Sequence, residues 1–202
     1  MAYPISYRQL EEMMGERGVE VDHSTLNRWV LKSVPLLEKQ FRARKRPVGS
    51  SWRMDETYLR VTGTWKYRYR AVDKAGATAE FLLTAKRDRN AVRRFLRNAI
   101  RHNWEPEKIT MDKSGANTAA IEGHNTEHKA GIEMRQVKYL NNIVERDHWA
   151  IKRQTRPMLG FKSFWSAAVT LADVELMHMI RKGQLLLTGE LCPARQFYSL
   201  TE

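Results

Sequence analysis

The strongest constraint on the fold is a run of alternating side chains in the middle of the chain. Trp65, Tyr67 and Tyr69 are each followed by a lysine or an arginine. A hydrophobic period of two predicts a β-strand that has one face in a core and the other in solvent. The aromatic row could instead stack on bases, as in proteins that bind single-stranded nucleic acid. Packing in a core is the interpretation we favour.

The segments around this strand predict a mixed sheet flanked by helices. Turn sequences on either side of it give a meander of three strands, and helix-linked strands follow. In chain order, strands are expected near 53–61, 65–71, 78–85, 108–112 and 132–138, and helices near 92–101, after 115, at 142–155 with Asn141–Asn142 as its cap, and at 164–181. The fold class is therefore α/β.

The first 33 residues predict a separate pair of short helices around a tight turn. Ser6 and Gln9 form a capping-box pattern before the first helix, and Asp22 can cap the second. Beyond that cap, the second helix exposes short polar side chains, as a helix-turn-helix does in the major groove. These candidate DNA-binding residues are His23, Ser24, Thr25, Asn27 and Arg28. A helical hairpin with no DNA-binding role is the alternative.

The composition favours a nucleic-acid partner and excludes several other classes of protein. A net charge of +12 indicates an anionic partner. Because Cys192 is the only cysteine, an internal disulfide and a zinc ribbon are excluded. No leader sequence starts the chain, and no apolar run approaches the roughly 20 residues of a membrane span. We therefore expect a cytoplasmic, nucleoid-associated protein.

These patterns divide the chain into four parts. They are a helix-turn-helix segment (1–33), a basic linker that could follow a phosphate backbone (34–51), the sheet-containing core (52–183) and a C-terminal tail (184–202).

Three acidic residues fall where a mixed sheet could bring their carboxylates together. Asp55 lies within the first strand, Asp112 at the end of the fourth, and Glu145 on a later helix. Phosphoryl transfer between nucleic-acid strands uses two Mg²⁺ ions about 4 Å apart, held by a few converging carboxylates. Lys152 follows Glu145 by seven positions, so both would lie on one face of the helix. A metal ligand and a phosphate-binding cation would then point the same way.

The same residues stand in segments that resemble the D-D-E transposases of insertion-sequence family six. The segments follow one another along the chain as Ile5–Leu10, Asp22–Thr25, Trp52–Tyr58, Tyr69–Asp73, Asp112–Asn117, Lys138–His148 and Leu159–Ser163. The resemblance extends from the N-terminus to about residue 183. Several long motifs in a fixed order make it specific.

The resemblance implies a ribonuclease-H-like, integrase-type catalytic core preceded by a small helix-turn-helix segment. It implies a DNA transposase that uses Mg²⁺, with Mn²⁺ as a substitute, to cleave and join strands at the terminal inverted repeats of an insertion sequence, giving cointegrates. Asp55, Asp112 and Glu145 would bind the metal, and Lys152, helped by Arg153, would contact DNA near the scissile phosphate. The bound metals would activate water and then the freed 3′-hydroxyl, with no covalent enzyme intermediate. The expected partners are double-stranded DNA, at element ends and target, and further copies of the chain in a homodimer or higher assembly.

Two other functions fit parts of the sequence. Family members usually carry additional residues before this start, and a missing leading helix would expose Leu10, Met13 and Trp29. A truncated or domesticated copy that binds DNA without catalysis is therefore the alternative function. A nuclease that acts on RNA–DNA hybrids is disfavoured, because A-form duplexes offer no readable major groove to a helix-turn-helix.

Several polar and aromatic residues near the proposed site have competing interpretations. Glu56 and Asp147 adjoin proposed ligands, but each would point away from its neighbour, so we predict structural roles for both. His124 and His128 could bind a metal on a helix, but no third ligand is evident, and a polar loop is the interpretation we favour. Trp149 is expected to pack in the core rather than contact DNA.

Overall fold

A computed structural model describes residues 5–137, 142–155, 158, 160–186 and 192–201. The chain forms two compact units, one made of residues 1–44 with 161–202 and the other of residues 45–160. The elements in chain order are α1 (Tyr7–Gly15), α2 (His23–Arg44), β1 (Ser51–Val61), β2 (Thr64–Asp73), β3 (Thr78–Thr84), α3 (Arg89–His102), β4 (Lys108–Met111), α4 (Gly115–His128), β5 (Glu133–Gln136), α5 (Asn142–Thr155), α6 (Phe164–Arg181) and α7 (Pro193–Tyr198). From β1 to α6 this is the predicted order.

The five strands form one mixed sheet in the order β3-β2-β1-β4-β5. The pairs β1–β2 and β2–β3 are antiparallel, whereas β1–β4 and β4–β5 are parallel. After the meander, α3 connects β3 to β4 and α4 connects β4 to β5. Parallel strands need such crossover connections. The predicted α/β class with a mixed sheet is confirmed.

One face of the sheet carries the main hydrophobic core. Trp52 and Met54 of β1 and Tyr69 of β2 are buried there with the apolar stripe of α3 and part of α4. The helix α3 begins where the Ala91 amide donates to the Asp88 carboxylate at 2.8 Å. Core packing was the predicted role of Tyr69, and its ring lies 5.9 Å from that of Phe95.

The opposite face of β2 is buried as well, which corrects the prediction of a solvent-exposed basic face. Arg68 is 2% exposed and Arg70 is fully buried. The helix α5 packs against β1 and β2. From β2, Arg70 donates to the Asp147 carboxylate of α5 at 3.0 Å and to the Thr78 hydroxyl at 2.8 Å. The period of two identified the strand, but a helix distant in sequence covers its polar face.

The other unit is helical. The predicted capping box is present, since the Gln9 amide donates to the Ser6 hydroxyl at 3.2 Å and the Ser6 amide donates to the Gln9 side chain at 2.8 Å. Met13 of α1 is 41% exposed, and Trp29 of α2 is 54% exposed. None of the described helices is long and apolar enough to cross a membrane.

The helix α2 is longer than the sequence suggested. It includes Pro35 and continues to Arg44, so the first part of the expected linker at 34–51 is helical. Val34 and Phe41 are buried, and α2 packs against α6 within the same unit. This packing outweighs the hydrogen bond that a proline removes from a helix. The helix α6 therefore belongs to the unit of α1 and α2, although it was expected in the core at 52–183.

Candidate active site

Asp55 and Asp112 lie just beyond the parallel pairing of β1 with β4. The last paired residues are Arg53 and Thr110, each two positions before one of the acids. The two acids therefore follow the paired parts of two neighbouring strands. Asp112 directly follows the last residue of β4 and is exposed to solvent.

The third carboxylate comes from α5. Glu145 lies in the first turn of this helix, which packs on β1. Asp55 and Glu145 line the same cleft, whose volume is about 260 Å³. The other residues lining it are Glu56, Thr57, Tyr58, His148, Trp149 and Lys152. The segment before α5, including the expected cap Asn141, lies outside the described residues.

Burial and the two other carboxylates both affect the ionisation of Asp55. The pKa of Asp55 is raised to about 6, first because burial disfavours its charged form and then because Asp112 and Glu145 are negatively charged. A hydrogen bond from the Glu56 amide acts in the opposite direction. The cleft therefore concentrates negative charge that a bound cation would neutralise.

His148 is a neighbour of Asp55 to which sequence reasoning assigned no role. Its Nε2 lies 3.4 Å from Asp55 Oδ2, without the geometry of a hydrogen bond. Burial, and then the positive charges of Arg68 and Arg70, lower the pKa of His148 well below its ordinary value. The imidazole is therefore neutral at neutral pH. One feature of the sequence could have indicated that His148 lies at this site. It follows Glu145 by three positions, so the two side chains are neighbours on one face of a helix.

The donor set suits a hard divalent cation. Carboxylate oxygens are the ligands that Mg²⁺ prefers, and Mg²⁺ keeps several waters while using only one or two carboxylates plus substrate phosphates. Among the residues that the structure describes, no three metal-ligating side chains are close enough to enclose an ion. Asp55, Asp112 and Glu145 are therefore too far apart in this structure to enclose an ion by themselves.

Two cations predicted to contact DNA follow on α5. Lys152 lines the cleft, and its Nζ lies 6.0 Å from the centre of the Tyr58 ring. Arg153 lies over the exposed ring of Trp149 at 5.3 Å. Both cations are exposed to solvent. The predicted spacing of Glu145 and Lys152 on one helix is present.

The neighbouring acids have structural partners. Glu56 forms an ion pair with Arg87, and Asp147 pairs with the buried Arg70 at 3.0 Å. Both contacts agree with the structural roles predicted for these acids.

The two histidines considered as metal ligands lie on α4, so their assignment to a loop was wrong. The rings of His124 and His128 are 4.5 Å apart, and the intervening Glu127 pairs with Arg93 of α3. The end of α4 is rich in polar residues, and because few apolar positions mark the helical period there, the segment resembles a loop in sequence.

Two tryptophans expected in the core are on the surface. Trp149 is 63% exposed and Trp65 is 57% exposed, in contrast to the buried Tyr69. Trp65 is the second residue of β2, directly after the β1–β2 turn, whereas Tyr69 lies four residues further along the strand.

The candidate DNA-binding residues gather at the start of α2. The amides of Ser24 and Thr25 donate to Asp22 at 2.7 and 3.2 Å, as predicted for a helix cap. The hydroxyls of the same two residues also donate to Asp22, and these hydroxyl bonds, followed by the amide bonds, lower the pKa of Asp22. Arg28 donates to the Thr25 hydroxyl at 2.8 Å, and His23 Nδ1 lies 2.9 Å from Glu11. His23, Ser24 and Arg28 are exposed, and Thr25 and Asn27 are partly exposed.

Two solved structures share this fold. A chain of the simian T-cell lymphotropic virus intasome, in complex with the PP2A regulatory subunit B56 gamma, superposes with a TM-score of 0.52 over 74% of this chain and 59% of that one, at 17% identity. The catalytic core domain of BIV integrase superposes with a TM-score of 0.50 over 75% of this chain and 95% of that one, at 19% identity. The fold is therefore the ribonuclease-H-like fold of retroviral integrase catalytic cores.

Sequence relatives define the family. A family described as a DDE domain matches residues 49–184. The transposase for the insertion sequence-like element IS431mec of Staphylococcus aureus is 34% identical over 184 residues, covering 90% of this chain and 80% of the relative. The transposase for IS257 in transposon Tn4003, also from Staphylococcus aureus, is 33% identical over the same length. The chain belongs to the DDE transposases of insertion-sequence family six, so its reaction class is polynucleotidyl transfer in DNA transposition.

Proposed function

We propose that this transposase cleaves and transfers DNA strands at the terminal inverted repeats of an insertion sequence in a metal-dependent reaction that gives cointegrates. The observation that carries the proposal is the electrostatic coupling of Asp55 to both Asp112 and Glu145 beside an open cleft. Burial is the larger cause of the raised pKa of Asp55, and the charges of Asp112 and Glu145 add to it, so a bound cation would relieve both costs.

In this proposal Asp55, Asp112 and Glu145 hold Mg²⁺, which Mn²⁺ can replace. Bound there, the metal supplies Lewis acidity at the scissile phosphate and favours deprotonation of the attacking oxygen. Asp55 must be ionised to act as a ligand, which its pKa of about 6 permits at neutral pH. Because His148 is neutral, it adds no charge that would compete with the metal for Asp55.

The cations of α5 bind the DNA backbone in this scheme. Lys152 lies on the cleft and contacts a phosphate near the scissile bond, and Arg153 assists from the next position. The start of α2 contacts the double-stranded ends of the element through the residues His23, Ser24, Thr25, Asn27 and Arg28. Two or more copies of the chain assemble on the paired ends.

A strand-transfer assay tests the proposal. Wild-type protein, Asp112→Asn and the control Glu107→Gln, which changes an exposed acid outside the cleft, are incubated with Mg²⁺, a labelled terminal-repeat duplex with a free 3′-hydroxyl, and a supercoiled plasmid. We expect joined product with the wild type and the control, and none with Asp112→Asn, while all three bind DNA. Equal joining by Asp112→Asn would contradict the proposal. DNA binding without joining by the wild type would favour the alternative, a catalytically silent DNA-binding copy.

A further inference from the structure

Three large aromatic side chains beside the cleft face solvent. Tyr58 is 59%, Trp65 57% and Trp149 63% exposed. Large aromatic rings are usually buried or partnered, so several in one place mark a binding surface. We call these three residues the aromatic surface.

The aromatic surface is continuous with the catalytic cleft. Arg60 of β1 is in register with Trp65 of β2, which makes Tyr58 and Trp65 diagonal neighbours on one face of the hairpin. Their rings meet edge to face with centres 5.5 Å apart. Tyr58 also lines the cleft, and Trp149 lines it from α5, one turn after Glu145. Tyr58 and Trp149 therefore lie in the wall of the cleft, and Trp65 extends the surface through its contact with Tyr58.

Each ring is accompanied by a cation. The distances to the ring centres are 6.0 Å from Lys152 to Tyr58, 5.8 Å from Arg60 to Trp65 and 5.3 Å from Arg153 to Trp149. A nucleotide offers the matching pair of groups, a base that stacks on a ring and a phosphate that attracts the cation. A protein bound to these rings would also cover the cleft and exclude DNA from the carboxylates, so nucleic acid is the occupant that the arrangement favours.

The geometry points to a specific form of DNA. Bases inside a duplex present only their edges, and a ring can stack on a base only after that base has left the stack. We propose that Tyr58, Trp65 and Trp149 stack on unpaired bases that flank the scissile phosphate, so that the enzyme prefers DNA that is locally opened at the cleavage site. This inference rests on the proposed function, because it deepens the description of the substrate.

A binding experiment without metal tests the inference separately from catalysis. The probes are two duplexes of the same mixed sequence in EDTA, one fully paired and one with a central bubble of three mismatched pairs, with 2-aminopurine in the bubble. We expect the wild type to bind the bubble more tightly and to quench 2-aminopurine by stacking. Trp149→Ala and Trp65→Ala should each weaken bubble binding by about 5–150-fold, the range measured for the loss of one stacked base. Binding of the paired duplex should change little.

Two controls make the result specific. Trp104→Ala removes a tryptophan that is 74% exposed and does not line the cleft, so bubble binding should be unchanged. Trp149→Phe keeps a stacking ring and should retain most of the quenching. Equal affinity for the two duplexes, or quenching that survives Trp149→Ala and Trp65→Ala together, would overturn the inference while leaving the proposed function intact. A wild type that binds neither duplex would overturn the proposed function itself.

Discussion

The carboxylate of Asp55 opposes the stability of the fold that positions it. It is partly buried, and the charges of Asp112 and Glu145 add to the cost of ionising it. Its place in the first strand and its grouping with Asp112 and Glu145 could be predicted from the sequence, through the motifs and the expected order of elements. Its raised pKa could not, because that depends on how closely α5 packs on β1.

We predict that Asp55→Asn stabilises the metal-free protein at pH 8. The folded pKa of about 6 lies above the ordinary 3.8, so the folded state binds the proton more tightly and stability falls as pH rises through this interval. Removing the charge should add about 2 kcal/mol to the free energy of unfolding at pH 8 and almost nothing at pH 4. Urea unfolding in EDTA at both pH values measures this. Glu107→Gln should show no such pH-dependent gain, and a loss of stability in Asp55→Asn at pH 8 would contradict the prediction.

At the scale of elements, periodicity found the strands and helices but not what covers them. The strand β2 was identified from its alternation, yet the helix that buries Arg68 and Arg70 follows some seventy residues later in the sequence. The length of α2 was missed for a similar reason, since Pro35 ends an isolated helix but not one held by packing against α6. The local sequence pattern distinguishes the two faces of a helix or strand. Tertiary packing decides which of these faces is exposed to solvent.

Gly160, which follows α5, gives a prediction at this scale. Its φ of +98° lies in the region that favours glycine, and a Cβ there would meet the backbone oxygen of Arg60 in β1 at 3.3 Å. We expect Gly160→Ala to lower the free energy of unfolding by about 1–3 kcal/mol. Thermal or urea unfolding measures the change. The matched control is Gly131→Ala, where a Cβ meets nothing within 4 Å, and equal stability of the two variants would rule out the close approach.

At the scale of the whole molecule, the site is assembled from parts of the chain that are far apart in sequence. Asp55, Asp112 and Glu145 come from β1, β4 and α5, and sequence reasoning could group them because the order of elements and the motifs agreed. The sequence raised base stacking by the row that includes Trp65 only as an alternative to core packing. A period of two indicates which face of a strand is apolar, but not which positions along that face are covered, and Tyr58 and Trp65 are exposed whereas Tyr69 is buried.

The net charge of +12 and the need to join two element ends lead to a prediction about assembly. One 23.6 kDa chain presents one set of three carboxylates. The proposed reaction cuts and joins two element ends, so we expect at least two chains on DNA that carries both terminal repeats. Light scattering coupled to size exclusion should give a protein mass of at least twice that of one chain on this DNA. The complex should dissociate as salt is raised, because phosphate contacts release counterions. A single chain bound to paired ends would contradict the prediction, and DNA with one repeat serves as the control, on which one chain can suffice.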